Sequence, residues 1–259
     1  MRPMPMWLSI GWSRKDSPEM YKMIDLEKAG YSLLEGRLYN HDYLWFSSTE
    51  IAKVSSTWPA IHNYALSYSL SQYSHGVYRG NCPRYEDDLA SMPLYTTPAI
   101  SPVVTRTTIT LNAVDDLTLR TDSGGKINTP NLGKRVTLDP CFELPQSGRR
   151  LELGYLFFCF VRGDYRPPAV ARLGKKGCPI RVCWKGIESP QAFLLDEAVV
   201  PAHPVNPLDI SGEVLSYDPI ILPPHMLFRR AEIRGDWFVR VDGGMVLLPK
   251  RIRHEIGRT

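Results

Sequence analysis

The chain has 259 residues, with 31 lysines and arginines against 27 acids, a net charge of +4, 43% hydrophobic residues and 22% charged ones. That balance excludes a disordered, collagen-like or disulfide-stapled chain and describes a globular one long enough to bury its own core. With 22 prolines and 19 glycines, a helical bundle is excluded too, and short strands, hairpins and ordered loops are expected.

Residues 1–30 read as an N-terminal extension, with a helical stretch at 18–29. Residues 31–46 read as the first strand and its turn, ending at Ser47, Ser48 and Thr49. The clearest helix follows: Ser55, Ser56 and Thr57 supply capping side chains, Pro59 fits a first turn, and Ile61, Tyr64, Ala65 and Tyr68 recur at helical spacing. From Cys82 to Pro102, four prolines predict a long loop. The β-branched runs 105–111 and 117–121 read as a projecting hairpin, with a tip at 122–126. Residues 151–162 form the most apolar strand and a central one. Residues 169–173 and 179–185 then pair around Gly174-Lys175-Lys176-Gly177, with Ile180, Val182 and Trp184 on a core face and Arg181, Cys183 and Lys185 on the other. Residues 190–199 suggest a short amphipathic helix, and 226–248 a meander turning at Gly235-Asp236 and Asp242-Gly243. This order predicts an α+β class, helices on one face of an antiparallel sheet.

The chain offers little to a metal or to nucleophilic catalysis. Six histidines are scattered without ligand spacing, no C-x-x-C, G-x-S-x-G or Walker loop occurs, and no cofactor is implied. His62 reads as a capping or surface hydrogen-bonding residue. Tyr155, Phe157, Phe158 and Phe160 could stack bases but fall on both strand faces, which favours core packing. Asp87-Asp88 reads as solvated in a loop, Asp115-Asp116 as a turn, and 250–253 as a basic tail. Five cysteines without pairing pattern, no signal-peptide core and no apolar run of membrane-spanning length lead to the expectation of a cytoplasmic protein.

Positive charge concentrates between Arg162 and Lys185, where seven basic residues stand against Asp164 alone. At the centre of that segment, Gly174 and Gly177 flank Lys175 and Lys176. Missing Cβ atoms let backbone approach a phosphate, and ammonium groups supply the attraction. The same residues also make an ordinary solvated turn, so both readings stand on charge alone.

Three segments in order, Ile61-His62-Asn63-Tyr64-Ala65-Leu66-Ser67-Tyr68, Arg172-Leu173-Gly174-Lys175-Lys176-Gly177-Cys178-Pro179 and Val205-Asn206-Pro207-Leu208-Asp209, resemble the Csc-one family. These are the Cas-five-type subunits of type I-D CRISPR Cascade, in the repeat-associated mysterious protein (RAMP) superfamily. The resemblance runs from about residue 34 to 248. It implies a single ferredoxin-like, RRM-like RAMP domain over 31–259, with C-terminal antiparallel strands and a β-hairpin thumb inserted at about 103–140. It further implies a non-catalytic subunit that caps the 5′ handle of the CRISPR RNA, beside a Cas-seven-type backbone subunit and the large subunit, near the protospacer-adjacent motif of target DNA. The RNA-binding residues it implies are Arg172, Gly174, Lys175, Lys176, Gly177, Cys178 and Arg181 at the glycine loop, and Arg106, Arg120, Lys126, Lys134 and Arg135 on the thumb. Two alternatives stay open. One is an endoribonuclease that processes precursor RNA, for which His62, Tyr64 and Lys175 are the available residue types. The other is a protein-only scaffold.

Overall fold

The computed structural model describes residues 22–51, 54–71, 83–113, 131–141 and 154–258. Strands β1 (Met23–Asp25) and β2 (Tyr31–Asn40) come first, then β3 (Thr49–Ile51), β4 (Val54–Ser56) and β5 (Ala60–Ile61), followed by helix α1 (Asn63–Leu70). Helix α2 (Tyr85–Ser91), β6 (Leu94–Thr96) and β7 (Ala99–Ile100) precede the long pair β8 (Arg106–Ala113) and β9 (Asn131–Leu138). Strands β10 (Tyr155–Arg162), β11 (Val170–Leu173), β12 (Cys178–Ile187) and β13 (Gln191–Leu195) lead to a 3-10 turn at Pro207–Asp209. The chain closes with β14 (Glu213–Ile220), β15 (Leu227–Arg234), β16 (Asp236–Val241), β17 (Gly244–Leu247) and helix α3 (Lys250–Ile256).

The apolar run at β10 forms the middle of the widest sheet, ordered β11-β12-β2-β10-β7-β5, with β6 also pairing with β10. Its residues alternate between two covered faces, as a strand buried on both sides requires. Phe157, Cys159 and Val161 pack with Ile61, Leu66 and Leu70 around α1. Phe158 and Phe160 pack the other way, with Ala192, Val239 and Val246 of a second sheet ordered β1-β13-β16-β17. Each such side chain taken fully from water contributes roughly 1.5–3 kcal/mol, and Phe157 and Phe160 are wholly buried. A third sheet, β3-β4-β9-β8, and a separate ribbon, β14-β15, complete the set. Among the described residues only the β4-β9 ladder is parallel. The protein is thus mostly β, with antiparallel sheets and short helices, consistent with the α+β expectation.

Several local expectations are corrected. Residues 23–25 are an edge strand on β13 rather than part of a helix, because Leu26 is drawn into the core and a ladder is available to the backbone. The helix starts at Asn63, not beside Pro59. Ser55 and Ser56 lie in β4, Ala60 and Ile61 pair with β7, and His62 is the N-cap, its ring accepting from the Tyr64 amide. The capping role of His62 holds, but the residue is buried. The 83–102 loop contains α2, β6 and β7, so Asp87 and Asp88 are helical, and Asp88 accepts from the Tyr68 hydroxyl at 2.6 Å. The partner of β8 is β9; residues 117–126, with Asp115 and Asp116, lie outside the described residues. The 190–199 helix is strand β13, whose pairing with β1 and β16 overrides its local helical pattern. The meander is split. Strand β15 pairs with β14, Gly235 carries the chain into another sheet, and only β16-β17 is a hairpin, turning at Asp242-Gly243 as expected. Residues 250–253 open helix α3 with Ile252 buried, so they are not a free tail.

Candidate nucleic-acid interface

The glycine loop is the turn between β11 and β12, and its shape depends on both glycines. Gly174 (φ +77°) and Gly177 (φ +62°) adopt left-handed backbone, which other residues rarely tolerate. The Gly177 amide donates to the Gly174 carbonyl at 3.1 Å, and the Lys175 amide donates to the Trp45 carbonyl at 3.0 Å. A Cβ at Gly174 would lie 2.7 Å from that Trp45 oxygen, so glycine is required there for close approach as well. Arg172 donates from Nη1 to the Gly177 carbonyl at 2.9 Å and straps the loop from outside. The Lys176 amide has no acceptor among the described residues and remains free for an anion.

Trp45 organises the site. Its ring is buried, and its Nε1 donates to Ser55 Oγ at 3.2 Å. The Leu44 amide and carbonyl bond reciprocally with Leu138, both at 2.9 Å, and Phe46 is held by Thr57. On the Trp45 ring lie two cations: Lys175 Nζ at 5.3 Å from the centroid and Arg135 Cζ at 5.0 Å, both within the range of cation–π attraction. Arg135 comes from β9, where it stands opposite Ser55 of β4. The glycine loop and the root of the β8-β9 ribbon therefore meet at one tryptophan.

The remaining expected residues distribute around this centre. Lys176 is exposed on the loop. The Cys178 side chain is buried, its thiol donating to the Asp42 carbonyl at 3.2 Å, so it seats the loop. Arg181 is exposed on the sheet face opposite Ile180 and Val182, whereas the loop folds toward Leu44 and Trp45. Lys134 and Arg106 are exposed and alternate with Arg135 onto the other face of their ribbon. Arg120 and Lys126 lie outside the described residues. Two other cations of the basic segment are engaged elsewhere: Arg162 with Glu255 at 2.5 Å and Lys185 with Asp242 at 2.8 Å. Trp45 was missed in the sequence, since Tyr43-Leu44-Trp45-Phe46 reads as an apolar strand and nothing in it signals two cations on the indole.

The three residue types available for acid/base chemistry do not converge. His62, Tyr64 and His225 form an aromatic cluster at the N-terminal end of α1. The opposite end of that helix, at Ser69, touches Arg172 of β11, and no described contact joins Lys175 to His62 or Tyr64. Burial pushes the His62 pKa down to about 3, with His225 adding to the effect. The segments 61–68 and 205–209, remote in sequence, do meet. Asn206 donates to Asn63 at 3.3 Å, Asn63 to Tyr95 at 2.9 Å, and the Tyr95 hydroxyl to Asp209 at 2.8 Å.

Comparison with known families decides the chain's kinship. The family model described as type I-D CRISPR-associated protein Cas5/Csc1 matches residues 31–255. The chain belongs to that family. No curated protein matches it. The match spans α1, the glycine loop and the Asn206–Asp209 turn, so the Cas5/Csc1 assignment covers all three segments singled out in the sequence, and it supports a part in CRISPR Cascade. Among the described residues no helix is long and apolar enough to cross a membrane.

Proposed function

We propose that this Cas5/Csc1 chain is a non-catalytic subunit of type I-D Cascade, built on a RAMP-type fold, that holds the 5′ handle of the CRISPR RNA. In that role the RNA backbone lies along the glycine loop, against the Cas-seven-type backbone subunit on the thumb side. The large subunit and the target DNA near the protospacer-adjacent motif stand next to this end of the complex. The observation that carries the reading is the convergence of Lys175 and Arg135 beside a glycine loop with a free Lys176 amide. Phosphate oxygens are met by such cations and by backbone amides, and unstacked bases then supply specificity.

The test is to co-express the chain with its neighbouring subunits and a CRISPR array, purify through a tag on this chain, and size and sequence the RNA retained. One RNA class with a common 5′ end is expected, with that end losing nuclease protection in a Lys175→Ala/Lys176→Ala variant. Retention of the partner proteins without RNA would replace this reading with a scaffold. Cleavage of precursor RNA by this chain alone would replace it with a nuclease.

A further inference from the structure

Two cations rarely share one aromatic ring unless something holds them there, because they repel each other and each long side chain loses rotamer freedom on being fixed. On Trp45 they come from segments forty residues apart, the glycine loop and β9. Neither Lys175 nor Arg135 has a carboxylate partner among the described residues. Arg135 also keeps a buried Nε with no acceptor among the described residues, while its Nη1 donates to the Lys134 carbonyl at 3.1 Å. An uncompensated pair of cations with an unused buried donor offers an anion both charge and a hydrogen bond.

We propose that Trp45 is a positioning residue that couples the glycine loop to the β8-β9 ribbon, holding Lys175 and Arg135 as one phosphate-binding unit for the RNA strand. The inference rests on the handle-holding reading above. The ring supplies what the loop itself lacks. The Trp45 carbonyl fixes the Lys175 backbone, the indole ring attracts its ammonium and the Arg135 guanidinium, and Ser55 locks the ring through Nε1. Both charged heads thus lie within 5.3 Å of one ring centroid, where successive phosphates of one strand would meet them together. Loop and ribbon would grip the strand as a unit rather than as separate surface charges.

The experiment compares Trp45→Leu, Trp45→Phe, Lys175→Ala and Arg135→Ala in the co-expressed, immobilised complex, following retained handle RNA over a salt series. Each phosphate contact to a single strand contributes about 0.7 to the slope of log affinity against log salt. Trp45→Leu is expected to weaken retention about tenfold and to lower the slope by roughly one to two contacts. Trp45→Phe, which keeps an aromatic face, should restore most of the slope although it loses the bond to Ser55. Adding Lys175→Ala to Trp45→Leu should change little. A wild-type slope in Trp45→Leu would overturn the proposal, and so would equal losses in the Leu and Phe variants with the slope unchanged, which mark a packing role only. If Trp45→Leu does not assemble, the Lys175→Ala and Arg135→Ala pair decides: non-additive losses support coupling and additive ones refute it. If Lys175→Ala/Lys176→Ala leaves RNA retention untouched, the handle-holding reading itself falls. If that variant loses RNA while Trp45→Leu does not, only the Trp45 inference falls.

Discussion

At position 174 two demands coincide, a left-handed backbone and a tryptophan carbonyl 2.7 Å from where a Cβ would stand. At position 177 only the first applies: φ is +62°, and the nearest atom to a Cβ is the flexible Arg172 Cδ at 3.7 Å. Gly177→Ala should therefore cost about 1–2 kcal/mol, the cost of left-handed backbone in an L-residue. Gly174→Ala should cost about 1 kcal/mol more, because the Trp45 carbonyl must also move away from the Lys175 amide that donates to it. Urea unfolding of the two variants checks the order, and equal midpoints would refute it. This difference was not legible in the sequence, where Gly174 and Gly177 flank the lysines symmetrically. The asymmetry comes from Trp45, 129 positions upstream of Gly174, which only the tertiary fold brings to the loop.

Helix α3 is held to the wide sheet through Arg162 at the end of β10. The guanidinium donates to both Glu255 carboxylate oxygens, at 2.5 and 2.6 Å from Nη2, and also to the Ala90 and Met92 carbonyls at 2.7 and 3.1 Å. The Tyr31 hydroxyl donates to the same carboxylate. Glu255→Ala removes the counter-charge of Arg162, but the half-buried guanidinium keeps two carbonyl acceptors and reaches solvent, so the expected cost is about 1–2 kcal/mol. Amide exchange in 250–256 should accelerate while exchange in β10 stays slow; uniform acceleration across both would contradict a local docking role. Sequence patterns read the elements well where one physical signal dominates: the alternation of β12 on a half-buried face, the all-apolar β10, and the Asp242-Gly243 hairpin. They failed where pairing at a distance decides. Gln191–Leu195 carries a helical pattern but is claimed by β1 and β16, and the described partner of Arg106–Ala113 is the distant Asn131–Leu138. At the site, the loop and its cations were legible, whereas their common support on Trp45 was not.

Across the whole molecule, the segments that carry α1, β6 and the Pro207–Asp209 turn are joined by a buried polar network whose protonation sets how stability varies with pH. Burial raises the Asp209 pKa to about 7, against partial relief from the Tyr95 hydroxyl and Arg251. Burial lowers His62 to about 3 and His203 to about 4. Both histidines accept a backbone amide, His62 from Tyr64 at 3.1 Å and His203 from Leu247 at 3.3 Å, so their neutral forms are built into the fold. The signs oppose each other. Asp209, with its pKa raised on folding, contributes stability that is fully present below about 3.8 and lost as pH rises through about 7. The histidines, with theirs lowered, contribute stability present above about 6.5 and lost as pH falls toward 4 for His203 and 3 for His62. Each group changes stability by about 1.4 kcal/mol per pH unit inside its window. From pH 6.5 down to 4, His62 and His203, joined over part of that range by His225, whose pKa burial also lowers, outweigh one aspartate, and stability should fall by at least about 1.4 kcal/mol per unit from a maximum near pH 6.5. Asp209→Asn removes the opposing gain, so its acid limb should steepen by about 1.4 kcal/mol per unit and its maximum should broaden into a plateau above pH 6.5. Urea unfolding at half-unit steps between pH 4.5 and 7.5 reads both slopes. An unchanged acid limb in the variant would mean that Asp209 stays ionised in the folded protein, held by Tyr95 and Arg251 more strongly than burial opposes it.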